Sequence, residues 1–143
     1  MTLLDKLNIT PGKTIEGKKF DTTIEEGETF EAYIFNAKKF LDRGDLESTF
    51  LNLSKAFHKE TPNYYRCARL FETLAIKYEE VGDFRKALEN IEYSISSWIK
   101  EAERLKSQER DVESCHNNIE RLEKISINLE NKINSEFKIK RGN

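Results

Sequence analysis

The sequence predicts an all-α protein: two helix–turn–helix hairpins and a long C-terminal capping helix, preceded by a flexible N-terminal arm. Three observations carry this. Apolar residues recur at three- and four-residue steps over most of residues 30–133, the spacing that lines one face of a helix. The stop Gly44-Asp45-Leu46 returns as Gly82-Asp83-Phe84, 38 residues later. A heptad-like run then follows through Leu88, Ile91, Ile95, Trp98, Ala102 and Leu105.

Composition narrows the class. A chain of 143 residues fits one domain, with or without flexible ends. With 37% hydrophobic and 35% charged residues, its core must be a stripe between well-solvated helices. A net charge of −2 argues against a general electrostatic grip on nucleic acid. Cys67 and Cys115 are the only cysteines; both fall on apolar stripes and read as small buried hydrophobes. Two cysteines make no disulfide framework, so a reducing compartment is expected. No apolar run approaches membrane-spanning length, and the opening MTLLDKLNIT lacks the basic region and long apolar core of a secretion signal. The expected location is cytoplasmic.

Residues 1–27 differ from the rest. Pro11, Gly12, Gly17 and Gly27 interrupt them, and they read as a flexible or extended arm. A hairpin around Gly17, flanked by Ile15, Phe20 and Ile24, is a weaker reading. Leu3, Leu4 and Leu7 are costly to leave in water, so docking of this cluster in a groove stands as the alternative to a mobile arm. The helical domain spans 28–137, and 138–143 form a basic, frayed tail.

The first helix, 29–43, sets Phe30, Tyr33, Ala37 and Phe40 on one face. Gly44 can take the left-handed conformation that ends it, and Asp45 can cap the next. Leu46, Phe50, Leu53 and Phe57 supply the second stripe. Thr61-Pro62 opens the third helix, Thr as cap and Pro at the first helical position. Its stripe is Tyr64, Cys67, Ala68, Phe71, Leu74, Ala75 and Tyr78. Gly82-Asp83 repeats the stop and cap, and the fourth helix runs from 83 to about 107. A fifth, about 109–137, carries Val112, Cys115, Ile119, Leu122, Leu129 and Ile133. Ile125 and Ile127 lie roughly 200° apart round that helix, so they cannot share a face.

Residues 71–91 hold Phe71-x2-Leu74-Ala75-x2-Tyr78, then Gly82-Asp83, then Ala87-x3-Ile91. This resembles the tetratricopeptide repeat (TPR), whose pattern is W-x2-L-G-x2-Y…A-x3-F. Phe replaces Trp, Ala replaces Gly, and Ile replaces the last Phe. An earlier unit, Tyr33-x2-Asn36-Ala37-x2-Phe40…Thr49-x3-Leu53-x2-Ala56, departs from the pattern at Asn36 and Thr49. The 38-residue period exceeds the usual repeat of about 34 by one helical turn.

The resemblance implies a non-catalytic protein-interaction module, an adaptor or scaffold, whose first helices line a concave groove. Carried onto this chain, the groove positions are Glu31, Ile34, Lys38, Leu41 and Asp42, then Arg69, Glu72, Ile76, Glu79 and Glu80. The expected partner-binding set is Ile34, Lys38, Leu41, Arg69, Glu72, Ile76 and Glu79. Ile34, Leu41 and Ile76 would supply apolar contacts, while Lys38 and Arg69 would select acidic residues. The family's carboxylate-gripping variety needs Lys and Asn where Ile34 and Lys38 stand, so that specialisation is absent. An amphipathic helix or short apolar peptide suits the groove better. The alternative is a homo-oligomer paired through Ile125, Ile127, Leu129 and Ile133.

No catalytic or metal-ligating constellation stands up, and neither an enzyme nor a cofactor is expected. Gly12-Lys13-Thr14 looks like the end of a phosphate loop, but Leu7 stands where its first glycine belongs. His58 and His116 lack companion ligands at helical spacing. His58 instead suits the free carbonyls at the end of the second helix. Arg43-Gly44-Asp45 is read as a helix stop and cap, not an adhesion tripeptide.

Overall fold

The computed structural model describes residues 29–142, which form five helices in sequence. The arm at 1–27, its hairpin and the Leu3, Leu4 and Leu7 cluster lie outside the described residues. Helices α1 (Phe30–Asp42) and α2 (Leu46–Phe57) make the first hairpin. Helices α3 (Tyr64–Glu80) and α4 (Phe84–Ser107) make the second, and α5 (Glu113–Gly142) packs against it.

Each start is chemically marked. Thr29 caps α1 by accepting the Ala32 amide at 3.1 Å, Asp45 caps α2 from Ser48, and Asp83 caps α4 from Lys86. These oxygens satisfy amides that have no partner inside the helix. The third helix departs from expectation. It begins at Tyr64, with Asn63 as the cap accepting the Arg66 amide at 3.1 Å. Thr61 and Pro62 belong to the preceding loop, where Pro62 is buried. Asn63 is a stronger cap than Thr and stands closer to the apolar stripe, and it prevails.

The stops of α1 and α3 share one geometry. Gly44 and Gly82 have φ of +79° and +83°. The amides of Asp45 and Asp83 reach back to the carbonyls of Phe40 and Tyr78, at 3.0 and 2.9 Å. That is the pattern in which a left-handed residue turns the chain and satisfies the last carbonyls. The stop of α4 repeats it without glycine: Glu109 has φ +58°, and Arg110 N–H donates to Leu105 O at 2.8 Å. This turn consumes residues 108–112, so α5 starts four residues later than the expected 109. At its other end α5 stays helical through Gly142, past the expected end at 137.

Contacts along α3 and α4 run in opposite order, Tyr65 with Trp98, Ala68 with Ser94 and Phe71 with Tyr93. The two helices are therefore antiparallel. Ala68, Ala75 and Ala87 are fully or nearly fully buried at this seam, and their small side chains permit close backbone approach. Ser94 Oγ–H donates to the Ala68 carbonyl at 2.8 Å. One core cluster joins Tyr33, Ala37, Leu53 and Phe57 of the first hairpin to Cys67 and Phe71 of α3. The other joins Leu74, Tyr78, Ile91 and Trp98 to Cys115, Leu122 and Leu129 of α5. The polar Thr49 in the first hairpin is fully buried and donates to Asp45 O at 2.8 Å, so its departure from an apolar residue is satisfied.

Candidate functional site

Helices α1, α3 and α5 stand side by side, joined by ion pairs. Arg66 Nη1 on α3 meets Glu31 Oε2 at the start of α1, at 2.7 Å. Arg121 of α5 holds both oxygens of Glu72 at 2.6 and 2.9 Å, and Lys132 meets Glu79 at 2.5 Å. The two α3–α5 pairs occur in the same chain order, so those helices run parallel. Glu80 pairs with Lys77 within its own helix at 3.9 Å.

These contacts divide the expected partner-binding residues into two groups. Ile34 is only 1% exposed, packed in the cluster with Cys67 and Phe71. Its place in the groove is therefore corrected to a place in the core. Leu41 is half-buried against the cluster that holds Leu74, Ala75 and Tyr78, so only part of it is left to the groove. Glu72 and Glu79, 38 residues after Ile34 and Leu41, face α5 through their ion pairs. Equivalent positions thus form the seams between neighbouring first helices, apolar between α1 and α3, ionic between α3 and α5.

Lys38, Arg69 and Ile76 do remain exposed, Ile76 at 48%. Lys38 and Ile76 are themselves 38 residues apart, one on each first helix. Arg69 is held by Tyr65: its Nη1 donates to Tyr65 Oη at 2.9 Å, and its guanidinium lies 5.7 Å from the ring centroid. The Tyr65 ring in turn stands perpendicular to Trp98 at 5.4 Å. Sequence reading missed Tyr65, because at the start of α3 it sits off the apolar stripe. It also missed Arg121, Lys124 and Lys132, although their spacing places them on one side of α5.

The face has lost most of its negative charge to its own cations. Glu31, Glu72, Glu79 and Glu80 are all paired. Lys38, Arg69 and Lys124 make no ion pair among the described residues; Asp42 on α1 and Glu120, one turn before Lys124 on α5, make none either. The Glu72 hydrogen bond raises the Arg121 pKa above its ordinary value, so that cation stays charged.

The set expected to pair chains does not form one surface. Leu129 is buried and Ile125 and Ile133 are half-buried, Leu129 and Ile125 within the domain's own core. Only Ile127 stands out, at 58% exposure. The predicted division of Ile125 from Ile127 is what the helix shows.

Burial pushes the Cys67 thiol up to about 12, and it raises Cys115 as well, so both thiols are neutral at ordinary pH. His58 Nδ1 donates to the Ser54 carbonyl at 2.8 Å, at the end of α2 as expected. Among the described residues no group of three His, Cys, Asp or Glu side chains converges as a metal site. None of the described helices is long and apolar enough to cross a membrane. Comparison with known protein families, characterised proteins and solved structures finds no match to this chain.

Proposed function

We propose that this chain is a TPR-like recognition module, an adaptor or scaffold without catalytic function, acting in the cytoplasm. Its partner is another protein, presenting an acidic, apolar segment, either a short peptide or one face of an amphipathic helix. That segment lies along the exposed faces of α1, α3 and α5. Ile76 and Tyr65 receive its apolar side chains, and Lys38, Arg69 and Lys124 receive its carboxylates.

The observation that carries this reading is the pairing of Glu31, Glu72, Glu79 and Glu80. In a chain whose net charge is −2, that pairing leaves a locally cationic face around an exposed isoleucine. Opposite charge on a partner raises the rate of encounter and sets register, while the apolar contact slows release.

The test is a quantitative pull-down from native lysate, comparing wild type with Arg69→Glu/Ile76→Glu. Both positions are exposed, so the variant should keep its helical circular dichroism. Loss of one acidic partner from the variant alone would name the pathway. Recovery of the same proteins by both baits would sink the reading.

A further inference from the structure

The charge on α5 is sorted by face. Residues seven apart on a helix fall in near-vertical columns, drifting only about 20° per step. Arg121, Lys124 and Lys132 occupy three neighbouring columns that otherwise hold Ser, Asn and Ile125. Glu113, Glu120, Glu123 and Glu130 occupy two others, shared with His116, Ile127, Asn134 and Phe137 and, as far as Phe137, containing no Lys or Arg. The basic columns face α3, as the pairs with Glu72 and Glu79 establish. The acidic columns begin beside Lys124, one turn after Glu120, and form a flank that runs round the helix toward α4.

That flank continues onto α4. A cleft of about 410 Å³ opens between the two helices, with Ile99, Ala102, Val112 and Ile119 as its apolar lining. Ile99 is 44% exposed, and Ile127 stands one heptad below Glu120. Glu103 lies in the cleft wall, and Glu92 precedes Ile99 by one heptad. Lys106 and Arg110 are confined to the loop end of the cleft, and Arg85 to the far end of α4. Between them the cleft also holds His116, exposed Lys100 stands one turn before Glu103, and the exposed side chains that follow on α5 include Glu120, Glu123 and Ile127. No described helix covers it.

We propose that this α4–α5 flank is a second docking surface, and that its occupant is a basic amphipathic helix. Apolar residues on that helix enter the cleft at Ile99 and Ile119 and meet Ile127. Its Lys and Arg side chains lie against Glu120, Glu123 and Glu130. The span from Ile119 to Phe137 is about 27 Å at 1.5 Å per residue, room for a helix of about five turns. A second copy of the chain is the poorer occupant, because pairing this flank with itself would set glutamate against glutamate. The opposite polarity of the two flanks makes the chain a bridge, with α5 shared between an acidic partner and a basic one.

The test uses the full chain and two fluorescent 18-residue amphipathic peptides, one of Leu and Lys, the other of Leu and Glu, followed by anisotropy. The Leu/Lys peptide should bind wild type and weaken as salt is raised. Glu123→Lys/Glu130→Lys should weaken it at least tenfold, and Ile127→Ser several-fold. All three positions are exposed, and circular dichroism checks the fold. Arg69→Glu/Ile76→Glu should leave this binding unchanged, which separates the two surfaces. Equal affinity for the charge-reversed variant overturns the proposal, as does preference for the Leu/Glu peptide or failure of the Leu/Lys peptide to bind. A wild-type dimer in sedimentation that Ile127→Ser dissolves would assign the flank to a second copy and overturn it too.

Discussion

Arg121 on α5 grips Glu72 on α3 with both ends of its guanidinium, Nη1 to Oε2 at 2.6 Å and Nη2 to Oε1 at 2.9 Å. Asn118 Oδ1 accepts a further bond from Nη2 at 3.0 Å, fixing the fork. The pair ties α5 to α3, beside the apolar seam that α5 makes with α4 through Cys115, Leu122 and Leu129. Arg121 is partly exposed, so solvent and salt screen the pair. Arg121→Ala should cost about 1 kcal/mol in urea unfolding, less at high salt. Arg121→Lys should recover only part of this, because an ammonium cannot bond two oxygens in parallel. Equal stability of all three proteins at low salt would show that the apolar seam alone holds α5.

The three left-handed helix stops give predictions of opposite sign. A methyl group at Gly82 would meet nothing within 4 Å, so Gly82→Ala isolates the backbone cost of φ +83°. That should lower stability by about 1 kcal/mol. Glu109 already carries such a cost at φ +58°. Glu109→Gly should therefore stabilise the protein by a few tenths to about 1 kcal/mol, the glycine's extra unfolded-state entropy offsetting part of the gain. Thermal midpoints of the two variants shifting in the same direction would refute this account of the stops.

The α3–α4 seam should tolerate loss better than gain. Ser94→Ala removes the hydrogen bond to Ala68 O at 2.8 Å, a net loss of about 1 kcal/mol. Ala75→Leu has nowhere to place three more carbons, because Ala75 is 2% exposed between close-packed helices. Overpacking of this kind costs about 1–3 kcal/mol. The ordering, Ala75→Leu worse than Ser94→Ala, is checked by denaturant midpoints.

Hairpins were legible because their signals are local. Gly44-Asp45 and Gly82-Asp83 each contain a stop and a cap within two residues, and the same chemistry acts wherever the helix lies. Glu109 was illegible because nothing in its side chain announces a left-handed backbone. The start of α3 was misplaced because Thr61-Pro62 makes a complete start signal on its own, whereas Asn63, two residues on, is the stronger cap. Ile34 was misjudged for a different reason. Its spacing puts it beside the core stripe, but whether that flank opens to solvent or closes on a neighbour depends on how far α3 leans over it. Glu72 has the same spacing and closes on α5 through a salt bridge. Helical period names faces; only packing decides which of them are covered.

Alkaline pH should weaken the fold through Cys67. Burial holds its thiol at about 12, against an ordinary value of 9.0 when the chain is unfolded. Between those values the unfolded state has released a proton that the folded state still holds, so stability falls as pH rises. Below about 9 the thiol is neutral in both states and contributes no pH dependence. Tyr78 acts in the same direction, raised first by burial and then by Glu47 and Asp83 nearby. The measurement is the urea midpoint from pH about 8 to about 10.5, for wild type and Cys67→Ala. Other titrating groups are common to both proteins, so the difference in slope belongs to Cys67. The variant should start less stable, having lost a buried sulfur, yet decline more gently. Parallel declines would mean that the thiol ionises as readily in the folded protein as in the unfolded one, and that the cluster around Phe71 and Ile34 admits water.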